Sequence, residues 1–181
     1  MTGTEIAALA IAAVAVFWMV GAYNRLTRLR NDIGSAWSQF DAQLQRRAAA
    51  LPVLLDALDE PMAAERPALD AVRGAEDQVR QAAEALRTAP LRPERAAALV
   101  IALAQLDSAL ARLLALLEQH PALREIEAVG VARRELHDVD LRLAFARQLF
   151  NGASEVYNAA IEQFPTRVLT GFFRFGPAGR L

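Results

Sequence analysis

Ile6 to Tyr23 (IAALAIAAVAVFWMVGAY) is a run without a single charge, and Arg25, Arg28 and Arg30 follow it at once. As a helix this run spans about 27 Å, which matches a bilayer hydrocarbon core of about 30 Å. Phe17, Trp18 and Tyr23 sit towards its arginine-flanked end, where amphipathic rings favour the membrane–water interface. Before the run stand only Glu5 and the N-terminus. A basic flank stays on the cytoplasmic side, so residues 1–5 are expected outside, 6–23 across the membrane and the rest in the cytoplasm. Three readings compete. Val20-Gly21-Ala22 fits a signal-peptide cleavage site, although the basic n-region of a signal peptide is missing. A buried core helix would need a run less apolar around its whole circumference. An inverted span would set the arginine asymmetry on the wrong side.

Beyond the run the pattern is helical throughout. Leu26, Leu29, Ile33, Trp37, Phe40, Leu44, Leu51, Leu55 and Leu58 recur in steps of about three and four, the spacing of one helix face. Anchor and first helix therefore read as one rod, with Pro52 as a kink rather than a stop. Asp59-Glu60-Pro61 to Pro67 is the first break. A second helix runs from Pro67 to Leu86, with Leu69, Val72, Val79 and Leu86 inward. A third starts at Pro93-Glu94, a proline and an acid in the positions a helix N-terminus favours. It carries Leu99, Leu103, Leu106, Leu110, Leu113 and Leu117 as a seam. After Gln119-His120-Pro121, a fourth and longer helix turns Leu123, Ile126, Leu136, Val139, Leu143, Ala146, Phe150, Tyr157, Ile161 and Phe164 inward, and Pro165 ends it.

Four such helices on short loops predict an all-α fold: an antiparallel up-down-up-down four-helix bundle over residues 24–165, continuous with the transmembrane helix. This topology returns the end of helix four to the bilayer. There, within residues 166–181, Phe172, Phe173, Arg174 and Phe175 form an aromatic foot suited to lipid headgroups or to the base of the bundle. Gly176-Pro177-Ala178-Gly179 beyond it is expected to be loose.

The chemistry-bearing residues are few. There is no cysteine, which excludes disulfides, thiol nucleophiles and cysteine-ligated zinc. A net charge of −1 gives no nucleic-acid surface. Glu118 with His120, and Glu135 with His137, are two apart and face different ways on a helix, whereas carboxylate-bridged metal pairs in bundles use Glu-x-x-His. No serine has a histidine at a suggestive spacing, and no glycine-rich phosphate loop occurs. The expected catalytic, cofactor and metal residues are therefore none, with Asp41 or Asp140 as the acid of a rival enzymatic reading. Asp41, Gln43, Arg46 and Arg47 on helix one, and Arg147, Asn151, Tyr157 and Asn158 on helix four, form either a polar layer that fixes register or a partner patch.

Several of these residues fall in ordered motifs. Tyr23-Asn24-Arg25-Leu26, then Ala36-Trp37-Ser38-Gln39-Phe40-Asp41-Ala42-Gln43-Leu44-Gln45-Arg46-Arg47 and Leu51-Pro52-Val53-Leu54-Leu55, resemble the LemA family. So do Ala146-Arg147, Phe150-Asn151, Tyr157-Asn158, Ile161 and Phe164-Pro165, and the block Glu118-Gln119-His120-Pro121-Ala122-Leu123. The resemblance implies a bacterial single-pass inner-membrane protein with a cytoplasmic bundle, and it extends to magnetosome-associated relatives. It brings no catalytic residues. Val53 stands where the family usually has Asn and Phe150 where it has Tyr; the usual His-Glu after helix one is absent, with Ala64-Glu65 nearby.

The functional expectation is a non-enzymatic scaffold or adaptor that acts through self-association, partner docking or membrane organisation, without cofactor or small-molecule substrate. Its partners are the lipid bilayer, further copies of itself as a homo-oligomer, or another membrane protein. The alternative is a regulatory bundle driven by its membrane helix.

Overall fold

The computed structural model describes residues 3–164, 166–173 and 175–181. Their regular secondary structure is all helical. Helix α1 (Gly3–Asp59) runs without interruption through the apolar segment, the arginines and Pro52. A 3-10 turn (Ala63–Glu65) leads to α2 (Arg66–Thr88), followed by α3 (Pro93–Glu118), the short α4 (Pro121–Arg124), α5 (Glu127–Glu162) and α6 (Thr166–Phe173).

Alpha-helix α1 has two halves with opposite surroundings. Gly3 to Gly21 is exposed on every side, with Phe17 79% and Ile11 71% accessible. From Leu26 onward one face is buried: Leu26, Ile33, Trp37, Phe40, Leu44, Leu51, Leu54, Leu55 and Leu58. This is the expected stripe, except that Leu29 is half-buried and Leu54 joins it. The first half is long and apolar enough to cross a membrane and is compatible with an anchor.

The main partner of α1 is α5, and that of α2 is α3. Trp37 of α1 meets Phe150 edge-on, ring centroids 6.2 Å apart, and Arg47 meets Asp140. Ascending residues on α1 thus meet descending residues on α5, so this pair runs in opposite directions. All six leucines of the α3 seam are buried, as are Leu69, Val72, Val79 and Leu86 of α2. One contiguous apolar cluster joins all four long helices.

Local chemistry explains the turns. Pro93 opens α3 after an extended Arg92, and Glu94 lies in its first turn. The Arg95 guanidinium donates to the Ala85 carbonyl at 2.7 Å and to the Thr88 hydroxyl, placing a cation on the carbonyl end of α2.

Three expectations are corrected. Helix four is not continuous from Pro121. Ile126 is extended (φ −66°, ψ 116°) between α4 and α5, and the break lets Leu123 and Ile126 both pack against the core. Phe164 is 84% exposed rather than inward, because α5 ends at Glu162 and an extended Gln163 (φ −68°, ψ 133°) loses the helical phase. Pro165, expected to end that helix, lies outside the described residues. The segment 176–179 is not loose: Ala178 and Gly179 are buried against α3 and α5, as described below.

Candidate functional site

Arg47 occupies a core position. It follows Phe40 and Leu44 at helical spacing and precedes Leu51 on the same buried face of α1. Its side chain is only 5% exposed. The guanidinium donates to Asp107 Oδ1 of α3 at 2.6 Å, and its Nε lies 3.2 Å from Asp140 Oδ1 of α5 at an angle too poor for a hydrogen bond. Glu76 of α2 is within its electrostatic reach. Each of the four long helices thus contributes one charged group, with the cation in the core and the carboxylates towards its edge: Asp107 and Asp140 remain 58% and 50% exposed. Burial pushes the carboxyls of Asp140 and Glu76 up, and the opposing pull of Arg47 does not cancel it.

Beside this centre a cavity of about 1130 Å³ opens between α1, α3 and α5. Leu54, Leu110, Leu114, Leu136 and Leu143 form its apolar floor, while Arg47, Asp107, Asp140 and Arg147 supply the polar edge. The Nε of Arg147 is buried there without a partner. Among the described residues no group of three or more acidic, histidine or cysteine side chains is arranged to hold a metal ion.

A second polar connection joins α1 to α2. Arg87 grips Asp41 with two parallel bonds, Nε to Oδ2 at 3.1 Å and a terminal nitrogen to Oδ1 at 2.8 Å, and Gln45 donates to the same carboxylate at 3.0 Å. This fork is the stronger form of an arginine–carboxylate pair, and Asp41 raises the Arg87 pKa further.

The α5 residues serve a different purpose from the expected layer with helix one. Residues 175–181 fold back along α5 as a strap. The Asn158 side-chain amide donates to the Ala178 carbonyl at 3.0 Å and accepts from the Ala178 N–H at 2.8 Å. Two turns earlier, Asn151 does the same to Leu181, 2.7 Å in each direction. The Tyr157 hydroxyl donates to the Gly176 carbonyl at 3.0 Å, and burial raises its pKa. On its other side the strap meets the α2–α3 loop, where the Gly179 N–H donates to the Leu91 carbonyl at 3.0 Å. Gly179 is required here by space: a Cβ would fall 2.7 Å from Ala96 Cβ and 2.8 Å from Pro93 Cα. Arg180 reaches Glu155 at 2.6 Å on the exposed side.

The eight residues named as a polar layer or patch therefore divide. Asp41 and Arg47 link helices, Asn151, Tyr157 and Asn158 hold the strap, Arg147 faces the cavity, and Arg46 is exposed. Gln43 has a buried Oε1 without a partner. Among the residues expected at the membrane interface, Phe173 and Phe175 pack on Tyr23 with centroids 5.1 and 5.9 Å away, so the end of α6 lies beside the end of the apolar segment. Phe173 stays 45% and Tyr23 41% exposed. Arg25, Arg28 and Arg30 are exposed on the same stretch of α1. Arg174 and the side chain of Phe172 lie outside the described residues. Sequence reasoning passed over Glu76, Arg87 and Asp107 as site residues, because each is one of many charged residues on an amphipathic helix. It also passed over Gly179, whose fit exists only against α3.

A family model described as the LemA family matches residues 36–180, from the packed half of α1 to the strap. Magnetosome protein MamQ of Magnetospirillum gryphiswaldense is 34% identical over 70 residues, a stretch covering 37% of this chain and 26% of MamQ. The match thus takes in about a quarter of that relative's length.

Proposed function

The chain belongs to the LemA family, and we propose that it is a non-enzymatic scaffold or adaptor held in the bacterial inner membrane by the first half of α1. On this reading residues 1–5 are outside, 6–23 span the bilayer, and 24–165 form an up-down-up-down four-helix bundle in the cytoplasm. Residues 166–181 return to the membrane surface. The observation that carries the proposal is the change of surroundings within one helix: exposed and without a charge from Ile6 to Gly21, core-forming from Leu26. An apolar helix with no protein around it finds its burial in lipid, and the exposed arginines stop it at the cytoplasmic headgroups. The aromatic group of Tyr23, Phe173 and Phe175 then lies at headgroup level, where such rings are favoured. The similarity to a magnetosome protein suits a chain that works at a membrane.

The scaffold acts by self-association or by docking a membrane partner. The test is the native mass of full-length protein extracted in mild detergent, by mass photometry, with mass spectrometry of co-purifying chains. A discrete multimer of this chain supports self-association, and a stoichiometric second protein supports an adaptor. A monomer with no partner refutes both.

One observation favours a regulatory reading as second choice. The apolar segment and Arg47 share one unbroken helix, so rotation of the anchor would drag the guanidinium away from carboxylates on α3 and α5. Cysteines introduced on α1 would then crosslink at a rate that changes under envelope stress; an unchanging rate removes this reading.

A further inference from the structure

The strap contacts the rest of the chain in an unusual way: its recognition is mostly of backbone. Asn151 and Asn158 each bind both the N–H and the C=O of one strap residue, as a neighbouring β-strand would. Tyr157 takes a third backbone group, and the Leu91 carbonyl takes the Gly179 N–H. Side-chain selectivity enters at the Gly179 notch, where no Cβ fits, and at buried Ala178. The Arg180–Glu155 pair is largely exposed and adds little. Such a clamp is a docking site for an extended segment of this composition, and it does not distinguish which molecule supplies the segment.

We infer that the α5 clamp of one copy takes residues 175–181 of a neighbouring copy, so that exchange of the strap links copies in the membrane. The reach suffices. Residues 163–174 separate α5 from the strap; with α6 kept helical they span about 26 Å, against the 8–10 Å between packed helix axes. The exchanged state keeps every clamp contact of the closed one; it gives up the packing of α6 on α1 and α5 and costs the bringing together of two copies, a cost that confinement to a bilayer lowers. This inference rests on the self-association in the proposed function and names the surface that produces it.

The experiment uses two full-length variants with different tags, produced together in the same membranes. Gly179→Val keeps the clamp but has a strap that cannot seat. Asn151→Ala/Asn158→Ala keeps the strap but lacks the clamp. Helix content by circular dichroism checks both, and deletion of residues 175–181 replaces Gly179→Val if that variant unfolds. Exchange predicts capture of one variant by the other at several times the level seen when either is paired with a differently tagged copy of itself, since only the mixed pool contains a working strap and clamp. Equal capture in all pools, or none in the mixed pool while wild type remains multimeric, overturns strap exchange and leaves the scaffold standing. A monomeric wild type overturns self-association as well.

Discussion

The charge centre at Arg47 makes a prediction about asymmetry. Its guanidinium is 5% exposed while its partners Asp107 and Asp140 are 58% and 50% exposed. Replacing Arg47 by Met removes the buried charge and keeps most of the aliphatic stem that packs among the leucines. The two carboxylates it leaves behind are already half in water and stay hydrated. The expected cost is about 1 kcal/mol or less, because desolvating the cation had consumed much of what the ion pairs return. Replacing both acids instead, as Asp107→Ala/Asp140→Ala, strands a core guanidinium. The usual cost of an uncompensated buried charge is about 3–5 kcal/mol, and Glu76 nearby and the adjoining open cavity place this case at the lower end, about 3 kcal/mol. With a urea slope of about 2 kcal/mol/M, the acid-deleted protein should lose about 1.5 M of unfolding midpoint and the methionine variant about 0.5 M or less. The assay is urea unfolding followed by circular dichroism at constant mild detergent. Arg47→Met at least as damaging as the double alanine would refute the reasoning, since it would mean that the ion pairs outweigh the burial of the cation.

Four further outcomes are expected. Pro52 is exposed within α1 and has no N–H to give the Ala48 carbonyl, so Pro52→Ala should stabilise the fold by about 1–3 kcal/mol, read as a higher urea midpoint; an unchanged or lower midpoint would show that the proline is accommodated at no cost. Glu76 has its pKa raised by burial, so the folded state holds that proton more tightly and the contribution of Glu76 to stability declines as pH rises through the upshifted range. Glu76→Gln should therefore melt at or above wild type at neutral pH, the difference closing towards pH 4. Asp59 carries the opposite sign: Arg73 lowers its pKa, so Asp59→Asn should lose stability at neutral pH and converge with wild type in acid, both seen in melts across pH. Reversing Arg25, Arg28 and Arg30 to Glu should disturb insertion with the bundle in the cytoplasm, measured by protease protection of spheroplasts; an unaltered pattern would detach orientation from these charges.

The helices were legible because burial here follows a period. A leucine at every third or fourth place has one economical solution, and the seams of α1, α2 and α3 were read directly from it. The break at Ile126 was not, because Leu123 and Ile126 fit the inward phase equally well in a continuous helix and in two helices with a turn between them. Phe164 failed for the same reason: apolarity marks a phase only while the helix that sets it continues. The site was harder. Asn151, Tyr157 and Asn158 were recognised as a group, but their bonds go to the backbone of residues 176, 178 and 181, and backbone atoms have no sequence signature. Gly-Pro-Ala-Gly, read from composition alone, signifies looseness; only the 2.7 Å approach to Ala96 turns the glycine into a requirement.

The strap also explains how the two helix pairs remain together. The pair α2/α3 meets α1 closely only at a few positions, and its ion pairs to α1 and α5 include Arg87 to Asp41, Arg73 and Arg66 to Asp59, Asp107 to Arg47 and Glu118 to Arg133. Three of these, Arg73 and Arg66 with Asp59 and Glu118 with Arg133, keep both partners more than a third exposed, where an ion pair contributes about 1 kcal/mol at most. The strap adds a tie of a different kind at the end beside Tyr23. It inserts Ala178 and Gly179 between the start of α3 and the asparagine face of α5, and no water need solvate the backbone groups it brings. Phe175, which meets Tyr23 edge-on, is the first residue of that strap. The junction between the apolar half of α1 and the packed half is thus bonded to the clasp between the helix pairs, so a displacement of the anchor reaches the clasp through one aromatic contact. Tyr23→Ala should therefore raise hydrogen exchange at the amides of Ala178, Gly179 and Leu181, which donate to Asn158, Leu91 and Asn151. Unaltered exchange at those three amides would show that anchor and clasp are mechanically independent.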